Sequence, residues 1–163
     1  MFKLAGCLML IAAGAYGGFA ASNDLKNRCE YIRQALKLTE SIEIYLNSDY
    51  LTAEEMIEKL KGDSSLKLLD LKNYYFHDNI TAELAEHIRK NKSCGCYDAA
   101  LKLADFFEDF GKTDLNGQNS KTQVLKNELT QLYKENTDKY EKNHKLYQVL
   151  GISVGVLTAL VLI

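Results

Sequence analysis

The 163-residue chain contains no proline and no tryptophan, and it has 26% charged residues with a formal net charge of −2. Without proline, no residue in the chain removes a helical hydrogen bond or clashes with the preceding helical turn. No stretch shows the sustained alternation of β-branched residues that is typical of strands. The chain is therefore predicted to be all-α, and its charge gives no strong positive field for binding nucleic acid.

Catalytic signatures are also missing, because the sequence has no HExxH, P-loop, GxSxG or GxGxxG pattern. Gly111–Thr113 reads Gly-Lys-Thr, but the upstream glycine and strand of a phosphate-binding loop are absent. Cys94 and Cys96 are too close for an easy disulfide and lack the second ligand pair of a zinc site. We therefore predict no catalytic, cofactor-binding or metal-binding residues. The alternative is a metal site that joins these cysteines to His77 or His87.

Both ends of the sequence are apolar. Residues 4–21 and 149–163 carry no charge, and as helices they would span about 27 Å and about 22 Å, close to the thickness of a bilayer core. We expect transmembrane helices at 1–21 and 147–163, with a soluble domain at 22–146 between them.

The N-terminal segment has two other interpretations. Leu4–Cys7 reads LAGC, like a lipoprotein processing site, but the apolar run follows the cysteine instead of preceding it. Cleavage before Ala21 would place the domain outside the cell. The positive-inside rule instead favours two uncleaved anchors and a cytoplasmic domain, because the cations cluster on the inner flanks of both segments. These cations are Lys26, Arg28, Arg33, Lys37, Lys134, Lys139, Lys142 and Lys145.

Each apolar segment contains a GxxxG pattern, formed by Gly14 and Gly18 in the first and by Gly151 and Gly155 in the second. Small residues at this spacing let helix backbones approach closely in lipid. The alternative explanation is the general richness of membrane helices in glycine.

The intervening segment is predicted to form an antiparallel bundle of about five to six helices between the two terminal transmembrane helices. Thr52 and Glu55 have the spacing of a capping box, and Gly62 follows as a C-cap. Further helices are expected near 25–46, 66–76, 82–90, 98–110 and 119–144. The first of these has an apolar stripe at four-three spacing, formed by Leu25, Cys29, Ile32, Leu36, Thr39, Ile42 and Leu46. Either Leu101, Ala104, Phe107 and Phe110, or Leu103 and Phe106, are expected to face inward from the helix at 98–110.

The order of these features resembles the stage III sporulation protein AB family. The resemblance lies in RCEYIRQALKLTESIEIYL, YLTAEEMIEKL, FEDFGKTDLNGQ and LYQVLG, and it covers nearly the whole chain. A Leu-Gly-x-Ser-Asp-x-x-x-Gln motif of the family falls here on Phe110, Gly111, Thr113, Asp114 and Gln118. The chain departs from the family at Thr113, where serine is usual, at Tyr50, where proline is usual, and in lacking a tryptophan-containing stretch.

The motif has a structural interpretation. Gly111 is suited to end one helix, and Asp114 or Thr113 is suited to cap the next. The competing interpretation makes the same residues a surface that binds a partner.

The resemblance implies a non-enzymatic platform or scaffold subunit of a channel between mother cell and forespore. Its soluble domain would be similar to the cytoplasmic domain of the inner-membrane platform protein of type II secretion and type IV pilus systems. The implied partners are other channel membrane proteins and a secretion-type ATPase, with homo-oligomerisation left open. The implied location is the mother-cell membrane facing the forespore. Two alternatives remain: a membrane-anchored signalling or sensor module, and a membrane enzyme that uses the cysteines and histidines.

Overall fold

The structure is a computed structural model that describes residues 2–48, 51–69, 71, 80–90 and 96–162. Within these ranges the chain is all-helical and has no strand, which confirms the predicted class. The arrangement as an antiparallel bundle between two membrane anchors stays a prediction. The helices are α1 (Phe2–Ser48), α2 (Ala53–Lys61), α3 (Ile80–Lys90), α4 (Tyr97–Asp109) and α5 (Leu115–Leu162), with a short 3-10 turn at Lys67–Leu69.

The two terminal helices are longer than the separate segments expected from the sequence. α1 joins the N-terminal apolar segment to the following amphipathic helix without a break, because no residue between them interrupts helical hydrogen bonding. α5 starts at Leu115, four residues before the predicted start at Asn119, and continues to Leu162. Of the helix expected near 66–76, the described part forms only the 3-10 turn, and 72–79 lie outside the described residues.

α2 begins with the predicted capping box. The Glu55 amide donates to Thr52 Oγ1 at 3.3 Å, and the Thr52 amide donates to Glu55 Oε2 at 2.9 Å. These hydrogen bonds hold the pKa of Glu55 below its usual value. Gly62 is the C-cap, as predicted, and its right-handed φ of −69° is one that other residues also adopt.

The described residues group into two compact units. One unit contains Glu30–Lys134, and the other combines the chain up to Cys29 with the chain from Glu135 onward. α1 and α5 each contribute to both units. We call the second group the helix pair.

The Glu30–Lys134 unit has a hydrophobic core to which all five helices contribute. From α1, Ile32, Ile42 and Leu46 are buried at the predicted three-four spacing, together with Thr39. α4 buries residues from both of its predicted alternatives, since Leu103, Ala104, Phe106, Phe107 and Phe110 are all buried whereas Leu101 is 37% exposed. α5 contributes Leu125 and Leu129. The apolar stripe of α4 is thus wider than either alternative.

Candidate functional site

The helix pair packs α1 against α5 in antiparallel orientation. The Cys7 thiol lies 3.9 Å from the Ala159 carbonyl oxygen, and Gln148 Nε2 donates to Ser22 Oγ at 3.4 Å. Residues nearer the end of α1 therefore contact residues nearer the start of α5. Phe2 and Leu162 consequently lie at the same end of the pair.

The four glycines of the GxxxG patterns lie where the two backbones meet. A Cβ added to Gly14 would lie 2.5 Å from the Gly151 carbonyl oxygen and 2.9 Å from Gly155 Cα. A Cβ on Gly18 would lie 2.5 Å from the Tyr147 carbonyl oxygen. Real Cβ atoms do not approach backbone this closely, so any larger residue at these positions would push the helices apart. The structure thus pairs the two patterns with each other.

Two other glycines on α1 differ sharply from these. A Cβ on Gly6 or Gly17 would meet no heavy atom within 4 Å. On α1, only the face that carries Gly14 and Gly18 therefore requires glycine for close packing.

The outward surface of the helix pair is apolar. On α1, Leu8 is 69% exposed, Met9 is 75% exposed and Phe19 is 55% exposed. On the part of α5 that belongs to the helix pair, the exposed large apolar residues are Leu146, Tyr147, Val149, Leu150, Ile152, Val154, Val156, Leu157, Leu160 and Val161. This surface has no protein cover within the described chain.

One helix of the described chain, α5, has the length and composition of a membrane-spanning helix. Its most apolar 18-residue window has a mean hydropathy of 1.3, and 11% of that window is buried. A core helix of a soluble protein would bury most of such a window. The N-terminal anchor stays a prediction.

The second candidate site is the corner between α4 and α5, residues 110–118. α4 ends at Asp109, and Gly111 adopts a left-handed φ of +84°. The amide of Lys112 then donates to the Asp109 carbonyl at 3.3 Å. A left-handed residue reverses the chain at a helix end, and glycine adopts it without a Cβ clash.

Asp114 caps α5. Its Oδ1 accepts a hydrogen bond from the Gly117 amide at 3.0 Å, and its carbonyl accepts one from the Gln118 amide at 2.9 Å. Gln118 Nε2 also donates to the Thr113 carbonyl at 3.0 Å. Of the two predicted caps, Asp114 makes the hydrogen bond to the third residue of the helix that defines an N-cap.

Asp109, the last residue of α4, forms two ion pairs at the corner. Lys121 Nζ lies 2.9 Å from Asp109 Oδ2, and Lys112 Nζ lies 3.6 Å from Asp109 Oδ1. The hydrogen bond and charge of Lys121 hold the pKa of Asp109 below its usual value. Residues 111–116 are all exposed, so the corner is also accessible to a partner.

A family model described as Stage III sporulation protein AB (spore_III_AB) matches residues 3–163. The chain belongs to the stage III sporulation protein AB family. No curated protein and no solved structure matches it significantly. The structure places the motif residues Gly111, Thr113, Asp114 and Gln118 together at the corner between α4 and α5.

Gly117 is a further residue of this corner that the motif did not indicate. A Cβ there would lie 2.8 Å from Asp114 Oδ1 and 3.1 Å from Thr113 Oγ1. The sequence indicates this role through spacing. Gly117 follows Asp114 by three residues, and the backbone amide at that position is the one that a capping side chain binds.

The residues of the metal-site alternative are not assembled in the described part of the chain. His87 lies on α3, Cys96 precedes α4, and His144 stacks on Tyr140 with 4.8 Å between ring centroids. Among the described residues no three His, Cys, Asp or Glu side chains are grouped closely enough to hold a metal ion. His77 and Cys94 lie outside the described residues.

Proposed function

We propose that this sporulation protein is a non-enzymatic platform subunit, anchored in the mother-cell membrane by both ends, of a channel that faces the forespore. The observation that carries the proposal is the glycine-packed helix pair with its exposed apolar surface. Family membership supports a role in stage III of sporulation. The platform role itself rests on the resemblance of the sequence to secretion platform proteins.

Membrane insertion explains why the helix pair has an apolar surface. In water, a continuous patch of exposed Leu, Val, Ile and Phe side chains of this kind would drive aggregation. In lipid the same surface is solvated by acyl chains, and close backbone packing at Gly14 and Gly151 supplies the helix association. The pair is therefore suited to act as one two-helix anchor.

The antiparallel pairing supports a single orientation. In an inserted helix pair, both apolar chain ends would lie on one side of the membrane. The lysines and arginines that follow the apolar segment of α1 and precede that of α5 would lie on the other. By the positive-inside rule, the Glu30–Lys134 unit then faces the mother-cell cytoplasm. A sensor that samples the outside would need the opposite orientation.

Trypsin accessibility at the corner tests this orientation. Lys112 has a side chain that is 64% exposed, so trypsin should cut there when the enzyme and the corner share a compartment. We expect cleavage at Lys112 in inside-out membrane vesicles but not in intact protoplasts of sporulating cells. The Lys112→Gln variant identifies the fragment. Cleavage in intact protoplasts would contradict the cytoplasmic orientation and favour the sensor.

Partner recovery tests the platform role. We propose a secretion-type ATPase and other channel membrane proteins as the partners that bind the Glu30–Lys134 unit. Crosslinking in sporulating cells should recover the ATPase with the full chain in the membrane fraction, and deletion of the chain should release the ATPase into the soluble fraction. An ATPase that stays on the membrane without this chain would exclude a platform role.

A further inference from the structure

A groove of about 490 Å³ runs along one side of the helix pair. Its α1 wall follows one helical face from Tyr16 through Phe19 and Asn23 to Lys26, and its α5 wall includes Tyr140 and Gln148. Ten residues of α-helix separate Tyr16 from Lys26, so the α1 wall is roughly 15 Å long. The groove is open at the side.

The lining of the groove changes from aromatic to polar along its length. One end is lined by Tyr16 and Phe19, which are 78% and 55% exposed. The other end is lined by polar groups, including the amide of Gln148, which donates to buried Ser22. The change falls where the apolar segment of α1 gives way to Ser22, Asn23 and Asp24. For an inserted helix pair, this is the level at which acyl chains meet headgroups.

The polar end carries one charge of each sign. Asp24 and Lys26 both line the groove, and within the described residues neither forms an ion pair. An ammonium group of Lys26 binds phosphate oxygens, and the carboxylate of Asp24 accepts hydrogen bonds from a primary ammonium. The charge pattern is thus complementary to a zwitterionic group that has a phosphate and an N–H-bearing cation.

We propose that this groove binds a phospholipid with a phosphoethanolamine headgroup. The phosphate lies at Lys26, the ammonium at Asp24, and the acyl chains lie along Tyr16 and Phe19. An anionic glycerol headgroup would have no cation for Asp24, and a choline headgroup has no N–H donor for it. The inference rests on the membrane insertion proposed above.

Native mass spectrometry of the detergent-solubilised full chain, with an equimolar mixture of dioleoyl phosphatidylethanolamine, phosphatidylglycerol and phosphatidylcholine, tests the inference. We expect the bound fraction to be enriched in phosphatidylethanolamine over both other lipids. Lys26→Gln and Asp24→Asn should each reduce phosphatidylethanolamine binding about fivefold, the loss expected for one solvent-accessible ion pair. Asp24→Asn should also remove the preference over phosphatidylglycerol.

Two control variants each remove a charge of the same sign at a position outside the groove. Arg28→Gln removes a cation two residues beyond Lys26, and Asp138→Asn removes an exposed carboxylate from α5. Both should leave lipid selectivity unchanged. Equal binding of the three lipids, or equal losses in controls and groove variants, would overturn the inference. A dimer that disappears with the groove variants would instead assign the groove to a second copy of the chain.

Flotation with phosphatidylethanolamine-containing vesicles separates this inference from the proposed function. A chain that fails to float contradicts membrane anchoring itself. A chain that floats but shows no headgroup selectivity contradicts only the lipid site.

Discussion

The side-chain oxygen of Gln34 accepts a hydrogen bond from the backbone amide of Leu68 at 2.8 Å, linking α1 to the 3-10 turn. Gln34 is buried on the core-facing side of α1, and its amide nitrogen donates to Glu30 Oε1 at 3.1 Å. The Gln34 side chain therefore accepts a hydrogen bond from the Leu68 amide, which lies outside the α-helices. It fixes the turn after α2 against α1.

Gln34→Leu should lower the free energy of unfolding by about 1–3 kcal/mol, because the Leu68 amide loses its partner. Thermal and denaturant unfolding of the detergent-solubilised full chain, followed by far-UV circular dichroism, measures the change. Asn127→Leu, at an exposed position of α5, is the matched control. Equal stability of the Gln34 variant and wild type would show that the bond contributes nothing.

Gly111→Val should destabilise the chain by about 1–2 kcal/mol, because a residue with a Cβ is strained at φ +84°. Gly111→Asn should recover part of this loss, since asparagine tolerates the left-handed region. The control is Gly62→Ala, whose φ of −69° accepts alanine. The same unfolding measurement applies, and a loss at Gly62 equal to that at Gly111 would contradict a conformational cause.

Asp114→Ala should cost about 0.5–2 kcal/mol, the range for loss of an N-cap, whereas Asp114→Ser should retain most of the stability. Gly117→Ala should mimic the loss, because its Cβ would displace the Asp114 carboxylate. The competing hypothesis makes the corner a partner surface. Unchanged melting of Asp114→Ala together with lost recovery of the ATPase would favour that hypothesis.

Gly14→Val should separate the helix pair, and Gly17→Val on the neighbouring open face should not. Oxidative crosslinking of Cys7 to a cysteine at Ala159→Cys reports the contact, with Cys29, Cys94 and Cys96 changed to serine. After trypsin digestion, the crosslink holds the two terminal fragments together on a non-reducing gel. We expect this band to be lost with Gly14→Val alone. Equal bands for both valine variants would contradict the packing.

The ion pair between Asp109 and Lys121 should make stability depend on pH. The folded-state pKa of Asp109 lies below its unfolded value of about 3.9, so its stabilisation is present above that pH and is lost as the pH falls through the folded value. Wild type should therefore lose more stability than Asp109→Asn between pH 6 and pH 3. Parallel pH profiles of the two proteins, measured by unfolding, would rule out this contribution.

Local rules in the sequence predicted the local structure well. The spacing of Thr52 and Glu55 predicted a capping box that the structure contains, because capping depends on residues three positions apart. The apolar spacing of Ile32, Ile42 and Leu46 predicted a buried face of α1. The predicted start of α5 at Asn119 is four residues late, because Asp114, one of the two predicted caps, starts the helix at Leu115.

The sequence by itself determined the helical class, the apolar ends and the positions of the glycines, because these follow from residue type and short-range spacing. It did not determine that the face of Gly14 and Gly18 packs against that of Gly151 and Gly155. Nor did it reveal that Gln34, a polar residue within an apolar stripe, holds the amide of Leu68. Both depend on groups far apart in the chain, and only tertiary packing decides which of several compatible surfaces meet.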